Sequence, residues 1–304
     1  MAISRAQLVK ELEPGLNALF GLEYKRYDNQ HAEIYTNESS DRAFEEEVML
    51  SGFANANVKV EGSGVNYDQA QETYSARYTH DTIALAFAIT EEAIEDNLYD
   101  KISSRYTKAL ARSMSNAKQV KAAAPLNNGL PTVDGFDSGD GVSLFNTSHT
   151  TVSGTAVKNT LTTQADLNET SLEQALIDIS AFTDERGLRV AAKGMKMIIP
   201  SANQFAAERL LKSQGRTGTA DNDINAVVSM GMVPQGYRVN NFLTDSDSWY
   251  IITDVPNGMK MFTRAPLTTA MEGDFDTGNV RYKARERYSF GVSDYRGIFG
   301  CEGA

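Results

Sequence analysis

The chain has 304 residues, 41% of them hydrophobic and 23% charged, which excludes a disordered or collagen-like polymer. One cysteine, Cys301, excludes an internal disulfide framework and a cysteine zinc cluster. The net charge of −11 argues against a protein that grips nucleic acid by counterion release.

In chain order, Leu8, Leu12, Leu16, Leu19 and Phe20 predict a helical arm over 1–28, interrupted at Pro14-Gly15. A polar stretch from Asn29 to Arg42 and the acidic run Glu45-Glu46-Glu47 follow. Strand-like pieces flank Gly62-Ser63-Gly64, and Tyr74, Ala76 and Tyr78, then Ile83, Leu85, Phe87 and Ile89, alternate as in a strand with one buried face. The outer part, 55–78, holds too little apolar mass to fold back on a core, so a projecting two-stranded arm is expected. Ordering it costs about 25 to 50 kcal/mol. Offsetting that takes roughly 1,000 to 2,000 Å² of apolar contact. A neighbouring molecule is the natural source.

Thr90 reads as an N-cap and opens a long helix over 90–121 with Ile94, Leu98, Ile102, Tyr106, Leu110 and Met114 on one face, stopped by Pro125. Residues 126–169 read as loops with short strands. Ser171-Leu172-Glu173-Gln174 reads as a capping box whose helix ends at Gly187. A strand Met195–Ile199, a helix Gln204–Lys212 and a mobile loop over 213–231 come next. Strands are expected at Tyr237–Asn240, Trp249–Thr253, Met259–Thr263 and Val280–Phe290. The class is α+β.

No motif supplies convincing catalysis. Asp137-Ser138-Gly139 and Asp276-Thr277-Gly278 resemble the paired loops of aspartic proteases, but their flanks are polar and Asp-x-Gly is ordinary turn chemistry. Asp221 to Asn225 begins like a calcium loop, yet Ala226 stands at the position that requires glycine. His31, His80 and His149 lie in polar stretches and read as surface residues. No cofactor or metal is expected. The longest apolar run, Ile83 to Ile89, is far short of the about 20 residues a bilayer span needs. Arg281, Lys283, Arg285 and Arg287 alternate with Tyr282, Ala284, Glu286 and Tyr288, which puts four cations on one strand face. That face reads either as a solvated edge strand or as a docking rail for an acidic surface of a second copy. Glu45 to Glu47, or Glu61, Asp68 and Glu72, would supply that surface.

The order of parts resembles the major capsid protein of tailed bacteriophages, the Hong-Kong-97-type fold. Ser143-Leu144-Phe145-Asn146-Thr147-Ser148-His149 is similar to a stretch of Mu-like major head subunits. So are Lys196 to Pro200 with Phe205 to Leu211, and the closing Phe290 to Gly297. The resemblance implies an N-terminal arm (1–43), an extended β-hairpin arm or E-loop (44–89) and a peripheral domain with the spine helix (90–170). An axial domain (171–255) and return strands (256–304) complete it. It implies pentamers and hexamers in an icosahedral shell around double-stranded DNA, in the virion, assembled in the host cytoplasm. The implied partners are a separate scaffolding protein, a portal and a decoration protein, with no membrane. Because the arm begins near Met1, no cleaved scaffolding segment is expected within the chain.

Expected contacts are Val58, Lys59, Glu61, Asp68, Glu72, Arg77 and Tyr78 on the arm, Arg281, Lys283, Arg285 and Arg287 on the strand, and Arg216, Asp221 and Asp223 on the axial loop. An encapsulin-like cellular shell and an aspartic protease using Asp137 and Asp276 are the alternatives.

Overall fold

A computed structural model describes residues 5–90, 92, 99–130, 136–215, 223–274 and 278–304. Two four-stranded sheets form the body. The first runs β1 (Thr36–Ser39), β10 (Met259–Gly273), β11 (Val280–Val292), β4 (Asp81–Ile89), and β1 is parallel to β10. The second runs β12 (Ile298–Cys301), β9 (Trp249–Thr253), β7 (Gly194–Ile199), β8 (Tyr237–Val239). A ribbon of β2 (Phe44–Leu50) and β3 (Glu72–Thr79) and a small pair, β5 (His149–Thr150) with β6 (Ala156–Val157), stand apart from both.

Strand alternation decides how the first sheet is covered. Tyr282, Ala284, Glu286 and Tyr288 of β11 point inward and are buried, while Arg281, Lys283 and Arg285 are exposed. Tyr282 and Ala284 meet Leu16 and Phe20 of α1 (Arg5–Arg26) and Leu110, Ala111 and Met114 of α2 (Tyr99–Asn127). Both helices therefore lie on one face of this sheet and leave the cationic face open. The second sheet takes Leu172, Ala175 and Ile179 of α3 (Glu169–Ser180) onto Met197, Trp249 and Ile251. Fully burying each of the large aliphatic side chains among these is worth about 1.5 to 3 kcal/mol.

Several boundaries differ from the sequence expectation. α1 continues through Pro14, and α2 continues through Pro125 to Asn127. Proline inside a helix costs about 3 kcal/mol. Here the buried Leu16 and Phe20, and Ala122, Ala123 and Leu126, outweigh it. Tyr35 and Tyr250 donate their hydroxyls to the Ala122 and Leu126 carbonyls at 2.7 and 3.1 Å near the second proline. The start expected for this helix, Thr90 with Glu91 and the turn through 98, lies mostly outside the described residues.

The cap of α3 is Asn168, with Ser171 at the third helical position returning the bond. The helix ends at Ser180 because the buried Phe182 turns into the core. Gly187 instead closes the following turn, at φ +84°. β10 runs past Thr263 to Gly273 through irregular register on either side of Ala265. Pro266, which has no N–H to give, falls in that interruption. β1, lying within the polar stretch, and β12 were not anticipated.

Residues 225–231 are not a loose loop. Asn225 caps α5 (Ala226–Ser229), its amide donates to the Leu210 and Ser213 carbonyls, and Val227 is buried. α4 spans Gln204–Lys212 as expected. All three histidines are buried rather than on the surface. Cys301 is buried in β12 with its thiol on the Ala165 backbone. No helix is long and apolar enough to cross a membrane, and no cluster that could hold a metal occurs among the described residues.

Candidate assembly interface

The arm is a paired ribbon only at its root. β2 and β3 pair from Phe44 with Thr79 to Leu50 with Glu72. Ser51 then closes the pair, its N–H donating to the Gln71 carbonyl at 2.9 Å and its hydroxyl accepting the Gln71 N–H at 3.0 Å. Beyond this point 53–70 form an open loop without a ladder, a correction to the two-stranded expectation. The loop turns at Val60–Ser63 with Gly62 at φ +80°. Asp68 accepts the Ala54 and Gln69 N–H groups, which hold its carboxyl below the ordinary range. Val58 and Tyr67 are 94% and 96% exposed, and Phe53, Val60 and Val65 are exposed as well.

The root is pinned to the body. Tyr78, named above as an intermolecular contact, is 2% exposed inside its own chain. Its ring stands edge-on to Phe262 at 4.8 Å, and its hydroxyl bonds Ser293 at 2.5 Å. Ser293 donates in turn to Glu47. Glu47 also takes the Lys260 ammonium at 2.5 Å, and Glu38 shares that ammonium at 3.1 Å.

His80 sits between β3 and β4, where the arm joins the sheet. Ser40 donates to Glu45 at 2.7 Å, so it accepts Nε2–H of His80 at 2.9 Å. Nδ1 then accepts the Ser289 hydroxyl at 2.9 Å. Burial, with Arg287 next in weight, holds this imidazole below its ordinary pKa, in keeping with the neutral ring these bonds require.

The acidic run is thereby committed within the chain, because Glu46 pairs with Arg77 at 3.7 Å. Arg77 also lies over Phe44, so Glu45 to Glu47 and Arg77 each have a partner within the chain, while Glu46 and Arg77 remain exposed. Val58, Lys59, Glu61 and Glu72 remain on the exposed surface. Asp68 is 3.6 Å from Arg186.

The cationic strand is not an edge. β11 lies between β10 and β4, so the edge-strand reading fails. Ala84, Ala86 and Ala88 pair with Arg285, Lys283 and Arg281 on one side, and Thr268, Ala270 and Glu272 on the other. Paired residues share a face. The surface is thus a row of cations on a floor of mostly short side chains, with Glu272 beside Arg281. Arg281 is paired with Asp274, and Nε of Arg287 reaches the His80 carbonyl at 3.5 Å. Lys283 and Arg285 stand exposed.

Asp223 is exposed beside the bridge between Gly215 and Ile224. Arg216 and Asp221 lie outside the described residues, as does Asp276. Asp137 bridges to Ser143 in a tight turn.

Sequence reasoning missed a buried network that joins two of the stretches quoted for the resemblance. The His149 ring stacks on Tyr295 at 3.9 Å and 6°. Asn159 donates to the Leu144 and Tyr295 carbonyls, which turns its oxygen toward Nε2 of His149 at 3.1 Å. Asp140 meets Nδ1 at 2.6 Å. Bonds from His149 and Ser138 outweigh burial and keep the Asp140 carboxyl below its usual range. Arg296, 3% exposed, binds Glu185 at 2.5 Å and Asp294 at 3.2 Å, and its guanidinium lies 4.5 Å from the Tyr295 ring. The only sequence signal was the two polar motifs themselves.

Residues 73–300 match the family described as phage capsid protein. The chain belongs to that family. This capsid protein also aligns with solved shells. The capsid of Myoviridae phage XM1 matches at TM-score 0.54 and 12% identity, covering 89% of each chain. The capsid of an empty GTA particle matches at 0.54 and 13%, covering 91% of each. A virus-like particle from Pyrococcus furiosus matches at 0.52 and 11%, covering 94% of this chain and 98% of the other. No curated protein matches. At these identities the likeness is one of fold. It is the α+β tailed-phage capsid fold that the sequence resemblance implied.

One consequence of burial is testable here. Burial and the nearby Lys118 lower the His31 pKa from 6.5 to about 4. The unfolded chain therefore binds the extra proton first, and stability present above pH 6.5 is lost as pH falls toward 4. The loss is about 3 kcal/mol. Urea titrations across this range should show a shallower pH slope in His31→Asn than in wild type.

Proposed function

We propose that this capsid protein is the major subunit of a tailed-phage head. Its copies assemble as pentamers and hexamers into an icosahedral shell that encloses double-stranded DNA without reading its sequence. A scaffolding protein, a portal and a decoration protein are its partners during assembly in the bacterial cytoplasm.

The observation that carries this reading is the arm. Its root is fixed by Tyr78, Lys260 and His80, while Phe53, Val58, Val60, Val65 and Tyr67 stand in solvent. Each of these side chains gains about 1.5 to 3 kcal/mol when buried, and the subunit offers them no surface of its own. The open face of the first sheet in the next copy fits them. Its alanines permit close approach, and Lys283 and Arg285 meet Glu61 and Glu72. Such charge pairs set register more than affinity. The loop carrying Arg216, Asp221 and Asp223 gathers around the shell's symmetry axes, and closure of the shell leaves no open interface.

The double substitution Lys283→Glu with Arg285→Glu tests the docking. Both side chains are exposed, so the melting temperature should stay within a degree or two. Particle yield by sedimentation should fall at least tenfold. Normal yield would reject the docking face.

An encapsulin-like cellular shell shares the fold and would hold protein cargo in place of DNA. The phage capsid family favours the former reading less, and nuclease-protected DNA in purified particles separates the two. The aspartic-protease reading of Asp137 and Asp276 finds no support in a family of structural proteins.

A further inference from the structure

Successive contacts support the arm outward from its root. At the root, Tyr78 is buried against Phe262 and Ser293. Further out, the turn at Gly139 approaches the ribbon so closely that a Cβ there would meet the Tyr74 ring at 2.7 Å and the Ala76 nitrogen at 3.1 Å. Among the described residues the outermost support is Arg186. Its Nη2 donates to the Gln69 carbonyl at 2.6 Å and stands 3.6 Å from Asp68. From Tyr78 to Gln69 the chain spans roughly 30 Å of extended backbone. The contact therefore acts far from the pivot, where a small change of angle moves the tip most.

Both ends of this contact are fixed. On the body side, Arg186 stands on a turn bridged between Thr183 and Arg189, and Asp184 accepts the N–H groups of Arg186 and Leu188 at 2.9 and 2.8 Å. The adjacent Glu185 is buried on Arg296 at 2.5 Å, and Arg296 also donates to the Thr183 carbonyl at 2.8 Å. Glu185 thus rivets the turn to the core while Arg186 faces the arm. The Arg186 side chain is 23% exposed with Nε shielded from solvent, so its guanidinium is not free to swing. On the arm side, Asp68 accepts the Gln69 N–H and, from the opposite limb, the Ala54 N–H at 2.7 Å. A grip on 68–69 is therefore a grip on both limbs, and Val58, Val60, Val65 and Tyr67 beyond it stay exposed.

We propose that Arg186 is a positioning residue for assembly: it braces the arm against the 183–189 turn of its own subunit and so presents the apolar tip to the next copy in one orientation. The inference rests on the proposed docking of the arm and adds what aims it. An unbraced arm still carries every docking side chain. It occupies the competent orientation for only a fraction of the time, and docking weakens by that fraction.

The test is a distance measurement by double electron–electron resonance in free subunits, with nitroxides on Asn57→Cys in the arm and Thr170→Cys on α3. Both positions are exposed, and the native Cys301 is buried. The wild-type background should give one narrow distance distribution, and Arg186→Ala should broaden it. Arg186→Lys, which can still donate to the Gln69 carbonyl, should keep it narrower than Arg186→Ala does. Arg189→Ala removes a cation from the same turn whose bond is to the Ala181 carbonyl, and should leave the distribution unchanged. Unlabelled Arg186→Ala should melt as the wild type does and assemble roughly tenfold more slowly by light scattering, the factor for a competent population cut to about one tenth. The proposal is overturned by an unchanged distribution in Arg186→Ala, by equal broadening in Arg189→Ala, or by assembly of Arg186→Ala at the wild-type rate. Distances are read in free subunits, so a wild type that forms no shells would sink the docking reading while the distances still decide the brace.

Discussion

Subunits in which residues 53–70 are replaced by a short Gly-Ser turn are expected to fold and to form no shells. The replaced segment forms no ladder, and its link to the body is the contact of Arg186 with Asp68 and the Gln69 carbonyl. The root does not depend on it. Tyr78 keeps Phe262 and Ser293, Glu47 keeps Lys260, and Ser51 still closes on Gln71. The melting temperature should therefore move by no more than a few degrees. Assembly should fail outright, because the exposed apolar side chains of the arm are what one copy offers the next. Gel filtration at high concentration and electron microscopy read the two outcomes together. Normal shells from this variant would mean that the arm is ornamental.

Asp140→Asn should be among the most damaging single substitutions in the body, costing about 1 to 3 kcal/mol, as expected when a buried hydrogen-bonding group loses its partner. The His149 side chain is wholly buried, with Tyr295 stacked on it and Asn159 fixed by carbonyl groups around it. An amide at position 140 leaves the buried ring without its carboxylate partner. The damage should reach the arm, since the turn at Gly139 lies against Tyr74 and the backbone of Ser75 and Ala76. A double-mutant cycle with His149→Gln should show coupling between the two positions, because their side chains are in direct contact. Urea denaturation measures all four proteins. A loss below about 1 kcal/mol in Asp140→Asn, the range of an exposed pair, would contradict the network described.

How much could be read in advance depended on whether a residue's partner was near in sequence. The alternation of β11 was legible, and with it the single-faced row of cations, because a strand's period is written in consecutive residues. Its central place in the sheet was not, since β4 and β10 come from distant segments. β1 has only Thr36, Asn37, Glu38 and Ser39, a string without apolar alternation, and is a strand because β10 lies beside it. Pro14 and Pro125 were misleading for a related reason. Local propensity marks a break, and long-range burial of Leu16, Phe20 and Leu126 overrides it.

The candidate interface divided along the same line. Exposure of the arm followed from its composition. The commitment of Glu45, Glu46 and Glu47 to Ser40, Arg77 and Lys260 did not, because a run of charge shows no partners. Tyr78 alternates like its neighbours and gave no sign that it anchors the arm. The three histidines stand among polar residues and are buried by hydrogen-bond partners up to 209 positions away.

The most direct measurement is an electron cryomicroscopy map of purified particles. The account predicts a closed shell in which density for 53–70 of each copy lies across Lys283 and Arg285 of its neighbour. Particles in which that segment folds onto its own subunit, or in which the open sheet face of every copy is bare, would contradict it.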